Sequence, residues 1–141
     1  MPILFFTEDI PFQLKQKARI KSWIRDAIVT ASLKVGNINY IFCSDTYILD
    51  VNNRYLNHDY FTDIITFDYC ESKIVNSDIF ISIDTVKSNS EKFNSTFQNE
   101  LNRVIIHGIL HLIGFDDKDE TKKAEMTRME NFYLQKLSAL S

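Results

Sequence analysis

The sequence predicts a single α+β domain: one four-stranded mixed sheet, three strands parallel and one antiparallel, packed with about five helices. Three observations carry that expectation. The 141 residues are 45% hydrophobic and 25% charged, the balance of one ordinary globular domain able to bury a core. Four short runs rich in β-branched and aromatic residues alternate with longer stretches whose apolar residues recur at spacings of three and four. Only three glycines and two prolines leave little material for linkers, and no repeat or low-complexity run divides the chain, so residues 1–141 read as one unit.

Ile3-Leu4-Phe5-Phe6-Thr7 is a short apolar run suited to a strand. A long helix follows, with Ile20, Trp23, Ile24, Ala27, Ile28 and Ala31 on one face. Gly36-Asn37 is a stop signal, after which Ile38–Cys43 reads as the second strand. Ser44-Asp45 offers an N-cap for a shorter helix through about Tyr55. Asp63–Phe67 and Asp78–Ile83 are the third and fourth strands, joined by a polar loop around Glu71-Ser72-Lys73. The remainder reads as helices from Thr85 to Asn94, Gln98 to Ile113 and Asp119 to Leu140. Helical connections make the first three strands parallel, and the short loop makes the fourth antiparallel. The flank Val104-Ile105-Ile106 with Ile109-Leu110 buries the helix that carries them.

The formal net charge of −3 argues against broad nonspecific nucleic-acid binding, and DNA is not an expected partner. The charge is uneven. Residues 13–34 hold Lys15, Lys17, Arg19, Lys21, Arg25 and Lys34 against Asp26, giving +5 there and −8 elsewhere. Such a segment can serve as a phosphate footprint, but a solvated helix face explains the same residues and is the better reading. No apolar stretch approaches the roughly 20 residues that span a bilayer. The opening MPILFFTED lacks a basic leader and turns acidic early, unlike a secretory signal. Cys43 and Cys70 then read as reduced thiols of a cytoplasmic protein.

Chemistry concentrates in HGILHLIGFDD, residues 107–117. Residues four apart on a helix project from one face, so His107 and His111 can aim two imidazoles at one point. Gly114 can enter the left-handed region and turn the chain back, bringing Asp117 toward the histidines as a third ligand. The spacing His-x-x-x-His-x-x-Gly-x-x-Asp is that of a metzincin zinc site with aspartate as third ligand. The expectation is a metal site at the end of a buried helix, holding one Zn²⁺ with a coordination position left for water. Asp116 either orients a ligand or caps the turn. A metalloprotease would carry glutamate directly after the first histidine, where this chain has Gly108, so that reading lacks its base. A metal that activates water and offsets phosphoryl charge suits phosphodiester hydrolysis instead. No side chain is assigned as general base.

The same residues resemble the signature of the YbeY family, bacterial metal-dependent endoribonucleases and ribosomal RNA maturation factors. That pattern, His-Gly-x-Leu-His-Leu-x-Gly-Tyr-Asp-His, is matched at His107, Gly108, Leu110, His111, Leu112, Gly114 and Asp116, with Phe115 for tyrosine. VNNRYLNHDYFTDIITF is similar to the family's upstream segment, Ser77–Ser82 to its Gly-Asp-Ile-x-Ile-Ser, and DETKKAEMTRMEN to its following helix. The resemblance implies an endoribonuclease acting on single-stranded RNA during ribosomal RNA maturation, with the small ribosomal subunit as a partner. A ribosome-associated RNA-binding module with a structural ion is the alternative. Three positions depart from the pattern. Asp117 stands where the family has its third histidine, Leu56 where it has arginine, and Asp68 where it has proline. If that arginine handles phosphate, Arg54 and His58 are the nearby candidates to replace it.

Overall fold

Strand alternation and helix caps set the elements of the computed structural model, which describes residues 3–58 and 62–140. They are β1 (Ile3–Thr7), α1 (Lys17–Thr30), β2 (Lys34–Cys43), α2 (Asp45–Leu56), β3 (Ile64–Asp68), β4 (Ile74–Ser82), α3 (Ile83–Lys92), α4 (Phe97–Leu112) and α5 (Glu120–Ser138). Asp59, Tyr60 and Phe61, part of the upstream segment compared with the family, lie outside the described residues. Ser44 caps α2 as expected, its Oγ accepting from the Tyr47 amide at 3.1 Å.

The sheet runs β1-β2-β4-β3, with β1, β2 and β4 parallel and β3 antiparallel to β4. Three parallel strands and one antiparallel strand were expected, but the antiparallel one is the third, not the fourth. β2 pairs with β4, and β3 sits at the edge. The hairpin forces β3 and β4 to be neighbours, through a tight turn with Ser72 at φ 54 and Glu71 bridged to Ile74. Length then decides which of them takes the centre. β4 pairs with β2 from Lys34↔Ile74 to Cys43↔Ser82, whereas β3 has only five residues to pair. The longer strand gains more ladder bonds in the middle.

A second correction concerns Gly36-Asn37. β2 starts at Lys34, and the chain turns earlier, at Ser32 with φ 64. Gly36 lies inside the strand, where the register with β4 shifts between Val35 and Ile38. The Asn76 side chain crosses there and its Oδ1 accepts from the Asn37 amide at 2.8 Å. A Cβ on Gly36 would collide with that oxygen. The glycine marks a close approach within a strand rather than a turn.

One face of the sheet carries the main core. Ile38, Tyr40 and Phe42 of β2 and Ile79 and Ile81 of β4 pack beneath α1, α4 and α5. Trp23 of α1 is wholly buried and its Nε1 donates to the Tyr133 carbonyl of α5 at 2.8 Å. The Tyr40 hydroxyl donates to the Ile105 carbonyl of α4 at 2.9 Å. These two bonds satisfy the polar atoms of large side chains that otherwise supply apolar burial. On the opposite face, Ile48 and Val51 of α2 cover Cys43 and Ile65 in a smaller cluster. Both cysteines are free, and burial together with nearby carboxylates pushes the Cys43 thiol up to about 12, so it is unreactive. Among the described residues no helix is long and apolar enough to cross a membrane.

Ile105 is fully buried where α4 meets the sheet. Ile105→Ala is expected to lower unfolding free energy by about 2–5 kcal/mol, measured by urea denaturation followed through Trp23 fluorescence.

Candidate metal centre and its cleft

Helix α4 is built to be buried on nearly every side. Thr96 caps it, accepting from the Asn99 amide at 3.0 Å, and Leu101, Val104, Ile105, Ile106, Ile109 and Leu110 are all buried. The strip left open carries His107 and His111, whose side chains keep 21% and 31% of their exposure. Between them sits Gly108. A Cβ there would lie 3.0 Å from Ile64 Cδ1 and 3.4 Å from Thr66 Oγ1, so the helix rests closely on β3. Position 108 therefore carries no side chain that could act as a base, which weighs against protease chemistry.

The helix ends as the glycine implied. Gly114 takes φ 118, its amide bonds the His111 carbonyl at 3.2 Å, and the Phe115 amide bonds the Leu110 carbonyl at 2.9 Å. This paired bonding is a Schellman motif, and it reverses the chain so that Asp117 returns to the histidines. His107 Nε2 and His111 Nε2 are 3.0 Å apart, and each is 3.8 Å from Asp117 Oδ2. Ligand bonds of about 2.0–2.1 Å in a tetrahedral site place donor atoms about 3.3 Å apart. The observed triangle brackets that value.

Hydrogen bonding supports the fit. His107 Nδ1 meets Glu130 Oε2 of α5 at 2.6 Å, and His111 is hydrogen-bonded to the Phe115 backbone. The two Nε2 atoms face one another across 3.0 Å, and where each ring carries its proton on Nδ1 they do so as lone pairs. They repel unless a cation or a proton lies between them. The charge field agrees. Burial opposes charging His107, yet the Glu130 hydrogen bond and the Asp63 and Asp117 carboxylates hold its pKa above the usual value. Burial and the neighbouring His107 push His111 the other way.

The histidines open into a cleft of about 390 Å³ lined by Ile64, Thr66, Asp68, His107, His111 and Leu112. Its wall is the free edge of β3. On the other side of His107 lies a polar hollow that includes Asp63, Glu100, Arg103 and Glu130. Asp63 and Glu100 are both raised above the usual carboxylate range, chiefly by burial.

The remaining sequence candidates are dispersed. Asp116 accepts from the Lys118 amide at 3.2 Å and pairs with Lys122 at 3.6 Å, so its carboxylate is spent on the turn into α5. Arg54 is exposed and paired with Asp50 one turn away on α2, at 3.3 Å. His58 lines a neighbouring hollow with Leu56 and Thr62 that shares Ile64 and Thr66 with the cleft. The basic segment lies elsewhere: Arg19 donates to the Leu137 carbonyl at the end of α5, and Lys21 sits over the Phe5 ring of β1.

The model of the family Endoribonuclease YbeY matches residues 6–138. The chain belongs to the YbeY family. Proteins named Endoribonuclease YbeY from Bacteroides fragilis and Cytophaga hutchinsonii are each 50% identical to it, over 93% of this chain and 94% of the first relative, and 89% and 88% for the second. The Parabacteroides distasonis protein of the same name is 48% identical over 93% of this chain and 92% of its own. A solution structure of a Thermotoga maritima protein superposes with a TM-score of 0.69 at 28% identity, covering 96% of this chain and 88% of that one.

Within this YbeY chain, sequence reasoning singled out His107, His111 and Asp117, which the fold brings together, but passed over Glu130, Arg103 and Thr66. Glu130 left a readable trace. Met126, Glu130, Tyr133 and Leu137 form one buried stripe along α5, and an acid in an apolar stripe demands a partner. Thr66 left none, because its approach to α4 depends on β3 occupying the edge.

Two outcomes follow from the site. Gly114 has open space around its missing Cβ, so Gly114→Ala is opposed by backbone conformation alone. It is expected to cost about 1–3 kcal/mol and to loosen the turn that returns Asp117 to the histidines, read by urea unfolding. Glu100 is only 7% exposed, and its raised pKa means its contribution to stability is full below the unfolded value of 4.5 and lost as pH rises through the folded one. Glu100→Gln should therefore gain stability relative to the native chain as pH is raised from about 4.5 to 7, in paired thermal melts.

Proposed function

We propose that this chain is a zinc-dependent endoribonuclease that hydrolyses phosphodiester bonds of single-stranded RNA, with His107, His111 and Asp117 as the ligands. The observation that carries the reading is the convergence of those three donor atoms, within 4.8 Å of one another, at the mouth of an open cleft in a YbeY family member. Two imidazole nitrogens and one carboxylate oxygen suit zinc among the divalent ions. A structural zinc site takes four protein ligands; three, opening on a cleft, favour catalysis over the binding-module alternative.

When bound, such an ion offsets charge on phosphoryl oxygens and lowers the pKa of a water in its remaining position. The chain's own residues do the holding. Glu130 holds the His107 ring from its Nδ1 side, leaving Nε2 toward His111. Ile64 and Leu112 provide apolar walls, and Thr66 offers a hydroxyl at the β3 edge. A cleft of about 390 Å³ has the size of a small-molecule site. A polymer enters it as a single strand with its nucleotides unstacked. Among the described residues that line the cleft there is no lysine or arginine, in keeping with Leu56 at the family's arginine position. Phosphate neutralisation then falls on the metal, and cleavage depends on it strongly.

The substrate we assign is ribosomal RNA during maturation in the cytoplasm, with the small ribosomal subunit as partner, on the strength of the family motifs in residues 51–131. The test is cleavage of single-stranded RNA by protein purified without added metal. Chelation is expected to abolish cleavage while leaving circular dichroism intact, and zinc to restore it. His111→Ala should lose stoichiometric metal and at least 100-fold in rate, on the order of one lost ligand. Full cleavage by the chelated protein, or by His111→Ala, would overturn the proposal.

A further inference from the structure

We infer that Glu130 is a positioning residue for the metal centre: fastened by Arg103, it fixes the ring orientation and tautomer of His107. The inference rests on the proposed role of His107 as a ligand.

Glu130 divides its two oxygens between two partners. Oε2 meets His107 Nδ1 at 2.6 Å, and Oε1 accepts from Arg103 Nη1 at 2.8 Å. Arg103 is held in turn, its Nη2 donating to Asn131 Oδ1 at 2.8 Å. Glu130 is 7% exposed, so neither bond is a surface ion pair that solvent would exchange. A carboxylate has no proton to give here and accepts from both neighbours, which requires His107 to carry its proton on Nδ1. Nε2 is then left with the lone pair that a metal needs, facing His111 Nε2 at 3.0 Å. A ligating histidine whose other nitrogen donates to a carboxylate is held in tautomer and orientation, and loss of such a partner typically weakens metal binding about 10–100-fold.

The two histidines are oriented by different means. His111 uses the backbone of Phe115, four residues on and fixed by the Gly114 turn. His107 uses a side chain from α5, 23 residues away in sequence. The first device travels with the motif. The second depends on α5 docking against α4, so the packing of one helix sets the chemistry of the other. Arg103 is the part that distinguishes this arrangement from a simple pair. Removing the guanidinium frees Glu130 to rotate and leaves a buried carboxylate with a single partner.

Glu130→Gln keeps size and polarity but cannot accept from both partners. Its amide NH₂ must face either His107 or Arg103, and facing His107 it favours the opposite tautomer. The experiment measures three things on Glu130→Gln, Arg103→Lys and the native chain. These are zinc affinity by chelator competition, the histidine side-chain nitrogens in ¹⁵N NMR of metal-free protein at alkaline pH, and the thermal melt. Expected are a fall in zinc affinity of about 10–100-fold for Glu130→Gln and loss of the Nδ1–H signature of His107, with the fold retained. Arg103→Lys, which keeps the charge, should fall between the native chain and Glu130→Gln. Native affinity and an unchanged His107 tautomer in Glu130→Gln would overturn the inference while leaving the ligand proposal standing. Failure of the native chain to take up zinc would defeat the ligand proposal first. Should Glu130→Gln fold poorly, Arg103→Lys alone decides by the same tautomer reading.

Discussion

The close seating of α4 on the edge of the sheet is the constraint from which the site follows. Gly108 makes it possible, since a side chain there would press on Ile64 and Thr66 of β3. With the helix that low, every face except one is buried in the core, and the histidines fall on the exception. The same contact makes β3 the wall of the cleft and brings the Thr66 hydroxyl to its side.

Around this seat, order is supplied at two ranges. The Schellman turn is local: two backbone bonds and one positive φ return Asp117 to within 3.8 Å of both imidazoles. The Glu130 contact is long-range and needs α5 in place, which Trp23, Met126 and Leu137 secure through the core. A carboxylate as third proposed ligand, with Glu130 behind the first, gives the centre a negative surround. That surround favours a divalent cation and disfavours an approaching phosphate until the cation is held.

Charge elsewhere follows structural need. The basic segment suits a solvated helix face better than a phosphate footprint. Arg19 closes the C-terminal end of α5, and Lys21 lies over Phe5 at the sheet edge opposite β3. Arg54 is paired along its own helix. Arg54 therefore brings no cation to the cleft, and His58 lies in the neighbouring hollow that shares Ile64 and Thr66 with it.

What the sequence determined by itself were the features that rest on local chemistry. Helix periodicity gave the buried faces of α1 and α4, caps gave Ser44 and the start of α2, and Gly114 gave the reversal that offers Asp117. Each depends on residues within a few positions of one another, so spacing suffices to read them. What only the tertiary structure decided were choices between neighbours distant in sequence. Both β3 and β4 could have taken the centre, and pairing length with β2 gave it to β4. Gly36 could have been a turn, and the crossing of Asn76 made it a strand position. Asp116 could have faced the histidines, and Lys118 and Lys122 drew it to the turn instead. Glu130 could have been any surface acid of α5 until packing aimed it at His107. Local sequence fixes which conformations are cheap; the partners that long-range packing delivers fix which atoms meet.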